Sequence, residues 1–211
     1  MILADIKDRI KLSLPKLYCF IKSIANHLGF MGLYFTKKVS REDFFVKPDF
    51  SLDQFYFNKK TARFMVSMFN HYNNICCLCT PRLAHEWFEG GRTVTLLDID
   101  ERFTYLPGYR YYDLRNPIKL PMIFDLIIVD PPFFLTAHEI HKAIDAIASQ
   151  SLETTLYLIF PIERENELFA AFSEWNLSRI PLQNLQWNNI KMSYHSLYGF
   201  YSNRPNEICS S

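Results

Sequence analysis

The run Asp130-Pro131-Pro132-Phe133 combines residue types that could activate an amine nitrogen. Two consecutive prolines fix φ and remove two backbone donors, so the carbonyls of Asp130 and Pro131 should lie in a rigid turn. An exocyclic amine is a poor nucleophile because its lone pair is delocalised into the ring, and a carboxylate and a carbonyl that accept its two protons would favour the nucleophilic form. Phe133 adds a flat ring that could stack on a flipped base. A turn that merely closes a strand is the structural alternative.

Two acidic residues, Asp98 and Asp100, stand at the end of an apolar run earlier in the chain, Leu96-Leu97-Asp98-Ile99-Asp100. Alternation places Asp98 and Asp100 on one strand face, so both could line a site. An acid at the tip of the second strand of a nucleotide-binding sheet commonly accepts hydrogen bonds from ribose hydroxyls. Asp113 lies between the second and third apolar runs and could accept the adenine amine of a cofactor. A solvated loop acid is the alternative at the strand tip.

The loop after the first apolar run, Thr80-Pro81-Arg82, contains no glycine. Without glycine the backbone cannot approach a ligand as closely, which weakens a dinucleotide-type interpretation. A cofactor without phosphate needs no cradle of backbone amides. Arg82 could pair with a carboxylate of such a cofactor, or it could be a surface residue.

Short apolar runs separated by helix-length intervals predict the elements that must position these residues. The predicted strands are Ile75–Cys79, Thr93–Ile99, Phe124–Val129 and Thr155–Phe160, and the predicted helices are Lys60–His71, Arg82–Glu89, Ala137–Ser149 and Glu163–Glu174. Their order predicts an α/β fold with a doubly wound, mostly parallel sheet, in which ligands lie outside the carboxyl ends of the strands. The aromatic tail predicts a final antiparallel pair containing Tyr194, Tyr198, Phe200 and Tyr201.

Residues 1–45 form a separate predicted segment, an N-terminal helical extension that precedes a domain over residues 46–211. Apolar residues recur in it at helical spacing, as Ile2, Ile6 and Ile10 illustrate. The extension could pack on the domain as a helical layer, or it could bind a partner protein or a substrate. Its apolar runs are broken by charges and fall short of the roughly 20 residues that span a membrane, so no membrane association is expected.

Composition narrows the classes of function. The 211-residue chain has a formal net charge of +1, so no overall field attracts nucleic acid, although a local basic patch would be compatible with this value. The five cysteines, three of them in one apolar run, predict a reduced, intracellular protein. A zinc site would need Cys77, Cys79 and further ligands such as His85, and the spacing does not favour one.

These residues together resemble a eukaryotic family of N6-adenine methyltransferases. One branch comprises zinc-finger ribosomal-RNA adenine-N6 methyltransferases, and the other comprises lysine methyltransferases that act on translation elongation factor. The resemblance is stronger to the first branch and covers roughly residues 49–203. It is carried, in order, by Gln54-Phe55-Tyr56-Phe57, Thr80-Pro81-Arg82-Leu83 with His85-Glu86, Leu96-Leu97-Asp98-Ile99-Asp100, Asp130-Pro131-Pro132-Phe133 and Ile159-Phe160-Pro161.

The resemblance implies a class I, Rossmann-like fold that binds S-adenosylmethionine and methylates adenine N6, in RNA rather than DNA. It assigns target binding to Asp130, Pro131, Pro132 and Phe133, and it places around the cofactor Gln54, Phe55, Thr80, Pro81, Arg82, Asp98, Asp100 and Asp113. No metal is expected. The sequence lacks the cysteine-rich zinc modules of the first branch, and Phe134 stands where that branch tends to have glycine.

Two other functions remain open from these residues. The same acceptor motif could hold the amine of a lysine, which would make the chain a protein lysine methyltransferase. The glycine-free loop and the N-terminal segment would also suit a catalytically silent, methyltransferase-like subunit that supports an active partner.

Overall fold

The computed structural model describes residues 44–148, 153–181, 185–188, 194 and 196–205. The expected helical extension over residues 1–45 therefore lies, except for its last two residues, outside the described part of the chain. Among the residues that are described, no helix is both long and apolar enough to cross a membrane.

The domain is built on a seven-stranded sheet with the order β3-β2-β1-β4-β5-β7-β6. Strands β1 to β5 pair in parallel, whereas β7 runs antiparallel to both β5 and β6. The strands are β1 (Ile75–Leu78), β2 (Thr95–Asp98), β3 (Tyr109–Tyr111), β4 (Leu126–Val129), β5 (Thr155–Pro161), β6 (Ser178–Ile180) and β7 (Tyr198–Ser202). The mostly parallel α/β fold expected from the apolar runs is therefore confirmed.

Burial explains why the central strands are continuously apolar. Every residue of β1, β4 and β5 is buried, because helices cover both faces of a parallel sheet of this kind. The register places Leu78 of β1 beside Val129 of β4, so the two strands end side by side.

The described part of the chain contains four α-helices: α1 (Lys59–Phe69), which precedes β1, and α2 (Pro81–Glu89), α3 (Ala137–Ala148) and α4 (Glu165–Ala171), which connect later strands. The side chain of Asn58 caps α1 by accepting a hydrogen bond from the backbone N–H of Thr61 at 2.8 Å. Helix α2 begins with Pro81, whose fixed φ and missing N–H suit the first helical position. Short 3₁₀ turns occupy Phe50–Leu52, Glu101–Phe103, Ile162–Arg164 and Ser173–Trp175.

Two expectations are corrected by the structure. The helix predicted over Glu163–Glu174 is shorter, because 3₁₀ turns precede and follow α4 and Asn176 then adopts a left-handed conformation with φ of 51°. The final antiparallel pair is present as β6 and β7, but Tyr194 lies outside it, and β7 also pairs with β5. Strands β3 and β6 escaped detection because each has only three residues, two of which are exposed, so neither forms an apolar run.

The strand order reverses between β1 and β4, and this switch point opens a cleft at the carboxyl ends of the strands. The segments that follow β1, β2 and β4 meet there. The sheet therefore gathers residues that lie more than 50 positions apart along the chain, from Cys79 to Asp130.

The burial of β4 generates a stability prediction. Ile128→Ala should lower the free energy of unfolding by about 2–5 kcal/mol, because Ile128 is fully buried and truncation leaves a cavity. Urea unfolding measures the change. Ile123→Ala is the matched control, since Ile123 is 69% exposed and should change stability by less than about 0.5 kcal/mol. Equal losses in the two variants would contradict this account of the core.

Candidate active site

The cleft at the switch point has two walls of different origin. One wall is the segment Leu52–Tyr56, which precedes α1, and the other is formed by the strand ends. The residues that line the cleft are Leu52, Asp53, Gln54, Phe55, Tyr56, Cys79, Pro81, Asp98, Ile99, Asp130, Pro131, Pro132 and Phe133. The structure thus brings the whole acceptor motif together with Gln54, Phe55, Pro81 and Asp98. Their roles as site residues stay predictions.

Asp130 lies directly after β4 and lines this cleft. Its backbone N–H donates to the carbonyl of Leu78 at 3.4 Å, and its Oδ2 accepts a hydrogen bond from the indole N–H of Trp187 at 2.8 Å. Burial raises the pKa of the Asp130 carboxyl to about 7; the Trp187 hydrogen bond opposes this shift and the charge of Asp53 adds to it. The carboxylate is therefore a stronger base than an ordinary aspartate.

Aromatic rings form a connected wall beside Asp130. Phe133 stacks on Tyr198 with ring centres 4.4 Å apart and planes 23° apart. The ring centres of Tyr198 and Trp187 lie 5.4 Å apart, and those of Trp187 and Phe57 lie 5.3 Å apart. Spacing along the sequence gave no sign of Trp187, which reaches the site through an antiparallel bridge between Phe57 and Trp187. Tyr198, which the sequence placed in the final antiparallel pair, lies against the motif.

Gln54 fixes the segment that forms the first wall. Its Oε1 accepts hydrogen bonds from the backbone N–H of Asp49 at 2.9 Å, the hydroxyl of Tyr56 at 2.7 Å and Nη2 of Arg102 at 2.9 Å. Its Nε2 donates to Oδ2 of Asp100 at 2.9 Å. The amide is thus engaged at both ends, and it ties the segment to the chain that follows β2.

The two acids Asp98 and Asp100 do not both line the cleft as alternation had suggested. Strand β2 ends at Asp98, which is buried and lines the cleft. Asp98 accepts a hydrogen bond from the backbone N–H of Asp100 at 2.9 Å, and burial raises its pKa to about 7. Asp100 instead caps the 3₁₀ turn at Glu101–Phe103 and pairs with Arg102 at 2.6 Å. Although burial opposes it, hydrogen bonds from Arg102 and Gln54 hold the pKa of Asp100 below its usual value.

Three other predicted cofactor residues lie outside the lining of the cleft. Arg82 is buried on α2 and forms an ion pair with Glu86 at 2.9 Å, so its expected pairing with a cofactor carboxylate competes with this internal partner. Thr80 is buried at the start of α2. Asp113 accepts hydrogen bonds from the backbone N–H of Arg115 at 2.9 Å and from the side chain of Asn116 at 2.7 Å.

The glycine-free loop keeps a backbone conformation that usually belongs to glycine. Cys79 has φ of 55°, in the left-handed region, at the point where the chain leaves β1 and lines the cleft. Such a conformation costs a non-glycine residue about 1–3 kcal/mol and persists where the surroundings enforce it. The loop without glycine therefore still contains a left-handed residue, and that residue is a cysteine.

Metal-binding side chains do not cluster in the described part of the chain, where no three His, Cys, Asp or Glu residues are grouped around a common point. Cys76 and Cys77 are fully buried in β1, and burial raises the pKa of the Cys77 thiol to about 12.

The raised pKa of Asp130 predicts how stability depends on pH. The folded state binds this proton more tightly than the unfolded state, so stability falls as pH rises from about 4 to about 7. Asp130→Asn removes this ionisation and should be more stable than the wild type at pH 8, by about 1–3 kcal/mol. The difference should shrink towards pH 4.

Urea unfolding at pH 4.5 and pH 8 measures this effect, with Asp145→Asn on the exposed face of α3 as the matched control. A difference between Asp130→Asn and the wild type that is the same at both pH values would contradict the half-buried carboxylate described above.

A family described as "Probable N6-adenine methyltransferase" matches residues 48–203. The chain is 28% identical over 101 residues to EEF1A lysine methyltransferase 1 of Bos taurus, covering 42% of this chain and 45% of that protein. It is 29% identical over 122 residues to a protein-lysine N-methyltransferase of Caenorhabditis elegans, covering 45% and 56%. The chain spans about half the length of these curated relatives.

Among solved structures, the chain is similar to a TehB-like SAM-dependent methyltransferase from Corynebacterium glutamicum. The TM-score is 0.49 and the identity 16%, over 67% of this chain and 85% of that one.

Proposed function

Since the chain belongs to the probable N6-adenine methyltransferase family, its fold and cofactor are those of an S-adenosylmethionine-dependent methyltransferase, and we propose that it methylates the side-chain amine of a protein lysine. The observation that carries this proposal is the half-buried carboxylate of Asp130, set in an acidic and aromatic cleft. The names of the relatives from Bos taurus and Caenorhabditis elegans support the same acceptor.

The charge of the lining favours a cationic acceptor over a phosphate-bearing one. Asp53, Asp98 and Asp130 line the cleft, and no lysine or arginine is among the described residues that do so. An adjoining groove, which shares Phe133, is lined by one acid, Glu163, and by Arg164, whose guanidinium is bonded to Glu167 at 2.8 Å. An acidic mouth attracts a lysine ammonium and repels a polynucleotide backbone.

The lining also suits the cofactor. S-adenosylmethionine supplies an electrophilic methyl group on a positively charged sulfonium when it is bound. Phe55, Pro81 and Ile99 offer apolar contact, and the carboxylate of Asp98 could accept from ribose hydroxyls. An acidic lining without cations fits a ligand that is positively charged at sulfur and carries no phosphate.

In the proposed reaction, Asp130 removes a proton from the lysine ammonium. An ammonium has no lone pair, so one proton must leave before the nitrogen can attack. With a pKa of about 7, the Asp130 carboxylate can take that proton and release it to solvent, after which the carboxylate accepts a hydrogen bond from a remaining N–H of the amine and orients its lone pair. Trp187 holds Oδ2 of this carboxylate, which directs the amine to Oδ1. Phe133 and Tyr198 form an aromatic wall that shields the nitrogen from water.

Adenine N6, in RNA rather than DNA, is a second candidate acceptor. The description of the family supports it, and so does the position of Phe133, a flat ring beside a carboxylate that could accept from an exocyclic amine.

Substitution of Asp130 tests its proposed role as the proton acceptor. Asp130→Ala should reduce methyl transfer at least about 100-fold, because the amine loses its proton acceptor. Cofactor affinity, measured by isothermal titration with S-adenosylmethionine, should remain close to that of the wild type. Asp145→Ala removes an exposed carboxylate far along α3 and is the matched control for activity. Near wild-type turnover by Asp130→Ala would show that the carboxylate has another role.

A methyl-labelling experiment distinguishes the two candidate acceptors, lysine and adenine N6. The protein is incubated with S-adenosylmethionine labelled in the methyl group and with protein, RNA and DNA fractions of a cell lysate. Label is expected in protein, as methyllysine after hydrolysis. Label confined to RNA, as N6-methyladenine, would reject the lysine proposal, and cofactor binding without label in any fraction would favour a silent subunit.

A further inference from the structure

The backbone N–H of Phe133 is the first donor after Asp130 in the acceptor motif, because Pro131 and Pro132 carry none. This N–H donates to Oδ2 of Asp53 at 2.7 Å. Asp53 lies 80 positions earlier in the sequence and belongs to the opposite wall of the cleft. One hydrogen bond therefore joins the wall that precedes α1 to the loop that should hold the acceptor.

Asp53 is itself held in place at its backbone. It adopts φ of 55° at the end of the 3₁₀ turn Phe50–Leu52, and its N–H donates to the carbonyl of Phe50 at 3.2 Å. The next residue, Gln54, is tied to Asp100 at 2.9 Å. The position of the Asp53 carboxylate is thus set by contacts on the side of the cleft where β2 ends.

The other side of the Phe133 peptide is held by Arg164. Its Nη1 donates to the carbonyl of Phe133 at 2.8 Å, and its Nη2 donates to the carbonyl of Leu135 at 2.9 Å. Arg164 follows β5 and does not touch the wall at Leu52–Tyr56 through these bonds. Asp53 is a direct hydrogen-bonded link from the motif to that wall.

We propose that Asp53 is a positioning residue that couples cofactor binding to the geometry of the acceptor loop. A cofactor that packs against Gln54 and Phe55 stabilises the wall, and the wall then holds Phe133 through the Asp53 carboxylate. Because binding linkage is reciprocal, the cofactor and the acceptor each strengthen binding of the other. The coupling deepens the proposed function, since the acceptor is taken to bind at Asp130.

The first test needs no acceptor. Hydrogen exchange is measured by mass spectrometry on a peptide spanning residues 130–135, in which the two prolines carry no exchangeable amide. In the wild type, S-adenosylhomocysteine should slow exchange of this peptide. In Asp53→Ala the slowing should disappear although S-adenosylhomocysteine still binds. Asp53→Asn should restore it, because an amide oxygen can accept the same hydrogen bond.

Steady-state kinetics provide the second test, with the acceptor fraction identified by the labelling assay. Asp53→Ala should raise the KM for the acceptor and lower kcat, for a combined loss of roughly tenfold in kcat/KM, the scale of one coupling step. The KM for S-adenosylmethionine at low acceptor concentration should change by less than about threefold. Asp145→Ala is again the matched control.

These experiments distinguish a failure of the Asp53 coupling from a failure of the proposed lysine acceptor. Cofactor-dependent protection that survives in Asp53→Ala would overturn the coupling, whatever the acceptor is. The same holds if Asp53→Asn is as impaired as Asp53→Ala, because the carboxylate charge and not the hydrogen bond would then matter. Failure of lysine labelling rejects the proposed acceptor and leaves the exchange result to decide on Asp53.

Discussion

The parallel pairing of β1 with β4 is the constraint on which the cleft depends. Because Leu78 and Val129 are paired, the chain leaves both strands at the same level, and Cys79 and Asp130 face one space. Both strands are buried on their two faces, so a shift in register would expose apolar side chains or bury polar ones. The energy of the core therefore fixes the position of Asp130, which carries no packing role of its own.

The same arrangement determines the electrostatics of the site. Placing carboxylates at the mouth of a buried sheet raises the pKa of Asp98 and Asp130, because burial disfavours their charged forms. The pKa of Asp100, which lies two residues after Asp98, is lowered instead, because Arg102 and Gln54 donate hydrogen bonds to its carboxylate. Asp98 and Asp100 thus acquire different properties. Asp100 is suited to holding the wall of the cleft, and Asp98 is suited to facing a ligand.

Sequence patterns predicted the parts of the molecule that depend on local composition. The four buried strands were visible as apolar runs, and the Asp-Pro-Pro turn was visible from its prolines. Trp187 was not, because it reaches Asp130 through a bridge to Phe57 that no spacing encodes. The hydrogen bond between Asp53 and Phe133 likewise depends on tertiary structure. The expectation that Asp100 shares a strand face with Asp98 failed because alternation holds only within a strand, and β2 ends at Asp98.

The position of β7 has a consequence for the order in which the protein can be made. This strand is the last of the seven in the chain, yet it lies between β5 and β6. On a ribosome, β6 must wait for residues 198–202 to emerge before it can join the sheet. Tyr198, which stacks on Phe133, arrives with them. A nascent chain therefore acquires its sheet edge and the aromatic wall of its cleft in the same late event, and cannot present a finished site earlier.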